Sequence, residues 1–148
     1  MKPFHLLASA AALVLSVHPA AAQRTVAAYY AALGPQDYVN SRGQPLTSLG
    51  AVLQQDRANY HRFGRPDPFD EGDPYFGDPA TRARIPDLVA AGDNGDFAHY
   101  TRPSTTQPLD ADLVVFICET GGRLSHIVLS YANGDGETTC EGSFFAGQ

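Results

Sequence analysis

The chain has 148 residues, and its ten basic side chains against sixteen acidic ones give a formal charge of −6. That balance argues against a generic nucleic-acid binder and against an anionic membrane surface as partner, because both need clustered cations facing phosphates. The length points to one globular domain, able to bury roughly two-thirds of its unfolded surface.

Met1 to Ala22 reads as an export leader. Lys2 gives the positive start, Leu6 to Val17 the short apolar run, and Ala20-Ala21-Ala22 a small-residue cleavage site. Cleavage would start the mature chain at Gln23 and leave 126 residues, with nine arginines facing sixteen carboxylates for a formal charge of −7. The leader implies the periplasm or the extracellular medium, with no membrane contact after cleavage. Residues 23–148 are expected to form a single domain, mainly helical over 23–92 and mainly strand over 96–148.

Val26, Tyr29, Tyr30 and Leu33 fall at i, i+3, i+4 and i+7, which predicts a helix over 23–33 ended by Gly34-Pro35. A loop follows over 35–46. Thr47 is the expected N-cap of a second helix reaching about Phe63, with Leu49, Val52, Leu53, Tyr60 and Phe63 on its apolar face. The segment 64–79, GRPDPFDEGDPYFGDP, holds four prolines and five carboxylates against one arginine, so it cannot continue a helix or form a central strand. It reads as a turn-rich loop pinned by Phe69, Tyr75 and Phe76 packing inward. Asp78-Pro79 then offers an N-cap with proline at the first helical position. Pro86 predicts two short pieces, 79–85 and 86–91, closed by Gly92.

The remainder reads as strand. Phe97 to Thr101 is one segment, and Asp112 to Glu119 carries five consecutive apolar residues of β-branched, aromatic and related types. A turn at 120–123 leads to a strand over 124–132, and a second turn at 133–136 to a short strand over 138–145. This order predicts an α+β fold. N-terminal short helices would pack on one face of a small C-terminal antiparallel sheet, built from a β-hairpin over 112–132 and a short third strand.

Cys118 and Cys140 are the two cysteines, and an even pair in an exported chain predicts a disulfide worth on the order of 3 kcal/mol. With Gly121-Gly122 as a two-residue loop, Ile117 faces His126 and Cys118 faces Ser125. Alternation then puts Glu119, Leu124 and His126 on one face and Cys118, Ser125, Ile127, Leu129 and Tyr131 on the other, the better core. A regular third strand would set Cys140 opposite Leu129, beyond the ~7 Å Cα limit from Cys118. The disulfide therefore requires the tail after Gly136 to leave the sheet and fold back across the face carrying Cys118.

Three constellations could carry chemistry. Arg57, His61 and Arg62 lie on the second helix, where a histidine beside arginines can act as acid or base toward an anion. The same pattern fits a solvated helix face. Glu119 and His126 are diagonal neighbours in the register above, a carboxylate-imidazole pair able to poise a proton. Asp67, Asp70, Glu71, Asp73 and Asp78 supply the oxygen ligands that calcium takes. No twelve-residue calcium-loop pattern is matched, however, so no metal and no cofactor are expected. The chain also lacks phosphate-loop, nucleophile-elbow and paired-histidine zinc motifs. The expectation is a non-catalytic binding or accessory protein with a protein or small-molecule partner; the alternative is a small hydrolase using Glu119 and His126, or His61 with the arginines.

Overall fold

A computed structural model describes residues 22–101, 112–132 and 136–145. The leader, apart from Ala22, and the turn expected at 133–136, apart from Gly136, lie outside the described residues. Gln23–Ala32 (β1), Asp112–Thr120 (β2) and Arg123–Tyr131 (β3) form an antiparallel sheet in the order β1-β2-β3. Gly136–Thr139 (β4) and Gly142–Phe145 (β5) pair in a separate hairpin. Between β1 and β2 run helices Leu49–His61 (α1), Pro79–Arg82 (α2) and Ile85–Ala91 (α3), with 3-10 turns at Pro35–Tyr38 and Gly95–Thr101. The fold is thus α+β, with helices on one face of a small antiparallel sheet.

The first segment corrects the expected helix over 23–33. β2 is apolar on both faces, as a central strand must be, and the hairpin supplies only one of its two neighbours. β1 supplies the other. Its apolar residues satisfy a helical period and also a period of two, and the structure uses the second: Tyr29, Ala31 and Leu33 are buried while Ala28 and Tyr30 are exposed. The short strand expected over 97–101 is likewise a 3-10 turn, and the single strand over 138–145 is the β4–β5 hairpin.

The helices follow their local signals closely. Ser48, one residue past the expected cap, receives the Ala51 N–H at 3.3 Å. Asp78 caps α2 by accepting from Thr81 N–H at 2.7 Å. The break between α2 and α3 falls before Ile85, so that Pro86 lies in the first turn of α3, where a missing N–H costs no hydrogen bond. The core joins Leu49, Val52 and Leu53 of α1 and Ile85, Leu88 and Val89 of α3 to Tyr29, Ala31, Leu113, Val115, Ile117, Ile127 and Leu129 of the sheet.

The β2–β3 hairpin turns at Gly121-Gly122, both at positive φ, but its register slips once. A bulge between Cys118 and Glu119 pairs Cys118 with His126 and Ile117 with Ile127. This corrects the face assignment: Ile127 and Leu129 face the helices, while Cys118 and His126 share the opposite face. There Phe116, Cys118, Val128 and Cys140 form a second small cluster. The Cys118–Cys140 disulfide closes across it, with Cα atoms 5.5 Å apart. The tail has left the sheet, as the disulfide requires. Glu141 ties the hairpin tip to β1 by accepting from the Thr25 N–H and hydroxyl at 2.6 and 2.8 Å.

The free edge of β3 is covered by a side chain. Asn94 donates to Ile127 O (2.8 Å) and Val89 O (3.0 Å) and accepts from Leu129 N–H (2.9 Å), so its amide acts as a one-residue strand partner. Gly92 lets the backbone come this close, because a Cβ there would lie 1.9 Å from Ile127 O. Replacing Asn94 with alanine should cost about 2–3 kcal/mol, from a buried carbonyl and amide left unpaired. Urea unfolding measures this, and an unchanged midpoint would contradict the role. Among the described residues no helix is long and apolar enough to cross a membrane.

Candidate functional site

The chain's charged chemistry converges on Arg57. Along α1 the buried face runs through Leu49, Val52 and Leu53 and then continues through Asp56 and Arg57, where apolar residues would be expected. The Arg57 side chain is fully buried. Its guanidinium carbon lies 4.2 Å from the centre of the Tyr29 ring and 4.9 Å from that of Tyr60. Nε donates to Asp56 Oδ2 at 2.8 Å and Nη1 to Glu71 O at 2.7 Å, while Asp70 and Asp73 stand at 3.7 and 3.6 Å.

The acidic segment 64–79 is drawn in around this cation, and its carboxylates cap backbone amides. Asp70 Oδ1 accepts from Ala32 N–H (2.8 Å) on the open edge of β1, and Asp70 Oδ2 from Asp67 N–H (2.8 Å). Asp73 Oδ1 accepts from the Tyr75 and Phe76 N–H groups at 2.9 and 2.6 Å. Arg82 of α2, also buried, donates to Phe76 O at 2.5 Å. Of the three aromatics expected to anchor the loop, Phe76 is fully buried and Tyr75 packs partly against the core, whereas Phe69 is 84% exposed. The Phe69 expectation is corrected: buried ion pairs and carboxylate caps hold that part of the loop, so the ring is not needed as an anchor.

A second carboxyl group meets the loop at Gly34. The Gly34 N–H donates to Asp37 Oδ2 (2.8 Å) and to Asp67 Oδ2 (3.2 Å), and Asn59 donates to Asp37 Oδ1 at 2.7 Å. A Cβ at position 34 would sit 2.5 Å from the Asp67 oxygens, so a larger residue there would have to displace the Asp67 carboxylate. Burial, the Asp56 charge and the hydrogen bond to Asp67 push Asp37 up to about 8. Burial pushes Asp56 up to about 7 against the pull of Arg57. Burial alone would lower Arg57, but Tyr29, Asp56 and Asp70 around it outweigh this and hold it above its ordinary value.

Both carboxyl shifts run upward, so the folded chain holds protons that the unfolded chain has released. The stability they add is fully present below the ordinary carboxylate value and is lost as pH rises through about 7 and 8. Thermal melts should therefore give a Tm that falls between about pH 5 and pH 9. A Tm rising over that interval would contradict the assignment.

The sequence-derived candidates separate into different settings. His61, at the end of α1, bonds Asp73 Oδ2 through Nε2 at 2.7 Å and remains partly exposed. Arg62 is exposed and stacks over Phe63 at 5.1 Å. Glu119 pairs with Arg24 at 2.5 Å on β1, whereas His126 bonds Ser125 Oγ through Nδ1 at 2.8 Å. The bulge puts Glu119 and His126 on opposite faces, so the diagonal pair expected from the simple register does not form. His126 lines a groove of about 620 Å³ between the end of α3 and the β4–β5 hairpin, with Asp93, Asp96, Thr138 and Glu141. Asp78 is exposed as a helix cap, and the Thr81 backbone N–H and hydroxyl hold it below the usual carboxylate range. Among the described residues no group of three or more histidine, cysteine or acidic side chains is arranged to hold a metal ion.

Sequence reasoning missed Tyr29, Asp37, Asn59 and Asn94 as parts of this architecture. One signal was available: Asp56-Arg57 interrupts the apolar stripe of α1 at core positions, and a buried ion pair needs partners from elsewhere in the chain. Comparisons with protein-family models, curated proteins and solved structures find no match to this chain.

Proposed function

We propose that the chain is an exported, non-catalytic binding or accessory protein that uses the ordered segment 64–79 as a recognition platform. The observation that carries this reading is the separation of its proton-transfer groups. His61, Glu119 and His126 are bonded to Asp73, Arg24 and Ser125 respectively, with none of the three bonded to another. General acid-base chemistry needs such groups within hydrogen-bond reach of one reacting atom. The loop, by contrast, is long, irregular and fixed to the scaffold, the usual setting for recognition residues. Export to the periplasm or the extracellular medium agrees with the leader pattern and with the disulfide, which persists in oxidising compartments. A protein or small molecule is the partner class, with neither nucleic acid nor membrane expected.

One observation favours the hydrolase alternative. Asp73 orients the partly exposed His61 imidazole, an arrangement that can serve a general base. The test is hydrolysis of a panel of ester, phosphodiester, glycosidic and peptide substrates by the wild-type protein and by His61→Ala and His126→Ala. No turnover attributable to either histidine is expected. Turnover abolished by one of the substitutions would replace the binding reading with the hydrolytic one.

A further inference from the structure

Asp67-Pro68-Phe69-Asp70 forms a tight turn, closed by the Asp70 N–H on Asp67 O at 3.2 Å. Proline at the second position and a positive φ at the third mark the type II pattern, whose third residue is ordinarily glycine. Here it is phenylalanine, with φ 73°, and it is the one non-glycine residue at positive φ among the described residues. Five glycines occupy the other such positions. A bulky side chain in this conformation is strained by its own Cβ. Burial does not offset that strain, because Phe69 is 84% exposed, against 43% for Tyr30 and Phe63, the next most exposed large apolar residues among the described residues.

The turn is also rigidly mounted. Asp67 is held by Gly34 and Gln36, Asp70 by Ala32, and Glu71 receives Arg57 on its carbonyl while its own N–H bonds Tyr30 O at 3.0 Å. Strain, exposure and fixed mounting together serve presentation of the ring outward better than stability of the fold. Pre-organisation of this kind lowers the entropy lost when a side chain enters a pocket.

We propose that Phe69 is the anchor of a protein-binding surface and inserts into an apolar pocket rimmed by lysine or arginine on the partner. The charge of the surroundings sets the rim. Residues 64–79 carry one arginine against five carboxylates, a net −4, and Glu71 is exposed two residues from the ring. Such a surface attracts a cationic rim and is repelled by an anionic membrane. The exposed Tyr30 of β1 is joined to Glu71 through the backbone and so lies beside this segment. A single anchored aromatic with a charged rim makes a small, transient interface.

This inference rests on the binding reading, and its test separates the two. The probe is a labelled amphipathic peptide of leucine and lysine, titrated by fluorescence anisotropy against the intact disulfide-bonded protein and its Phe69→Gly variant. That variant keeps every charge and removes the side chain with its strained Cβ. Binding should weaken tenfold or more in Phe69→Gly, be retained in Phe69→Trp, and be absent for the leucine-glutamate counterpart. The Tm of Phe69→Gly should rise by a few degrees as the strain is relieved. Equal binding by wild type and Phe69→Gly, or a lowered Tm, would overturn the proposal, and so would ring-dependent sedimentation with phosphatidylcholine vesicles. In the native host, p-benzoylphenylalanine in place of Phe69 should give one discrete protein adduct. Adducts with the photoprobe at the exposed Arg65 but not at 69 would leave segment 64–79 as the platform and remove Phe69 from it; adducts at neither position would count against both.

Discussion

Replacing Arg57 with leucine is expected to cost about 3–5 kcal/mol, the largest loss from any single substitution in this chain. The reason lies less in the attraction lost than in the charges left behind. Asp56, Asp70 and Asp73 surround a guanidinium with no solvent exposure, and each would remain desolvated without its counter-ion. A domain of this size has about 5–15 kcal/mol in total, so the variant should sit close to unfolding at 25 °C. Lysine should rescue little of the loss, because it cannot reproduce the planar stack between Tyr29 and Tyr60 or the fork to Asp56 and Glu71. Adding Asp56→Asn to Arg57→Leu should recover part of it, with a coupling of about 0.5–3 kcal/mol in a double-mutant cycle. Urea titrations of the four proteins measure this, and additivity of the two substitutions would contradict a shared buried cluster.

Removing the disulfide should have the second-largest effect. Cys118 and Cys140 are 22 residues apart, and a loop of that size is worth about 3 kcal/mol in unfolded-state entropy. The effect should also be local. Cys140 fastens the β4–β5 hairpin to the outer face of β2 and β3, opposite the helical layer, so the Cys118→Ala, Cys140→Ala variant should keep its sheet and helical core. Its urea midpoint should fall by the amount corresponding to that energy, and the Thr25 amide, held by Glu141, should exchange faster than in the wild type. An unchanged midpoint, or loss of the whole fold, would show that the hairpin is coupled to the core differently.

How much was legible in the sequence varied with the range of the forces involved. Helix boundaries depend on neighbours a turn away, and Ser48, Asp78 and Gly92 stand within a residue of the expected caps. The β2–β3 hairpin was legible from its glycine pair and its apolar runs. The disulfide followed from the even cysteine pair in a chain read as exported, and because a regular third strand would have kept the cysteines apart, it required the tail to leave the sheet. β1 was not legible by its own periodicity, because alanines fit either a helix or a strand, and the decision rests with the unfilled edge of β2. The single bulge at Cys118 reversed the faces of every β3 residue beyond it, which separated Glu119 from His126.

The acidic segment was the hardest to read. Five carboxylates near four prolines resemble a solvated loop, and nothing local says that one arginine in a helix ten residues upstream will draw them inward. Only the interruption of the α1 stripe at Asp56 and Arg57 carried that information. The same misreading hid Phe69. Its ring was expected inside because aromatics usually anchor such loops, yet here the buried cation anchors this one.

The account rests on segment 64–79 being a fixed part of the fold, and amide hydrogen exchange tests that most directly. The Ala32, Gly34, Asp67 and Phe76 amides donate to Asp70, Asp37, Asp70 and Asp73 respectively. They should be protected to a degree approaching the central β2 amides, and Arg57→Leu should abolish that protection. Exchange at all four in the wild-type protein at the rate of an unstructured peptide would contradict it.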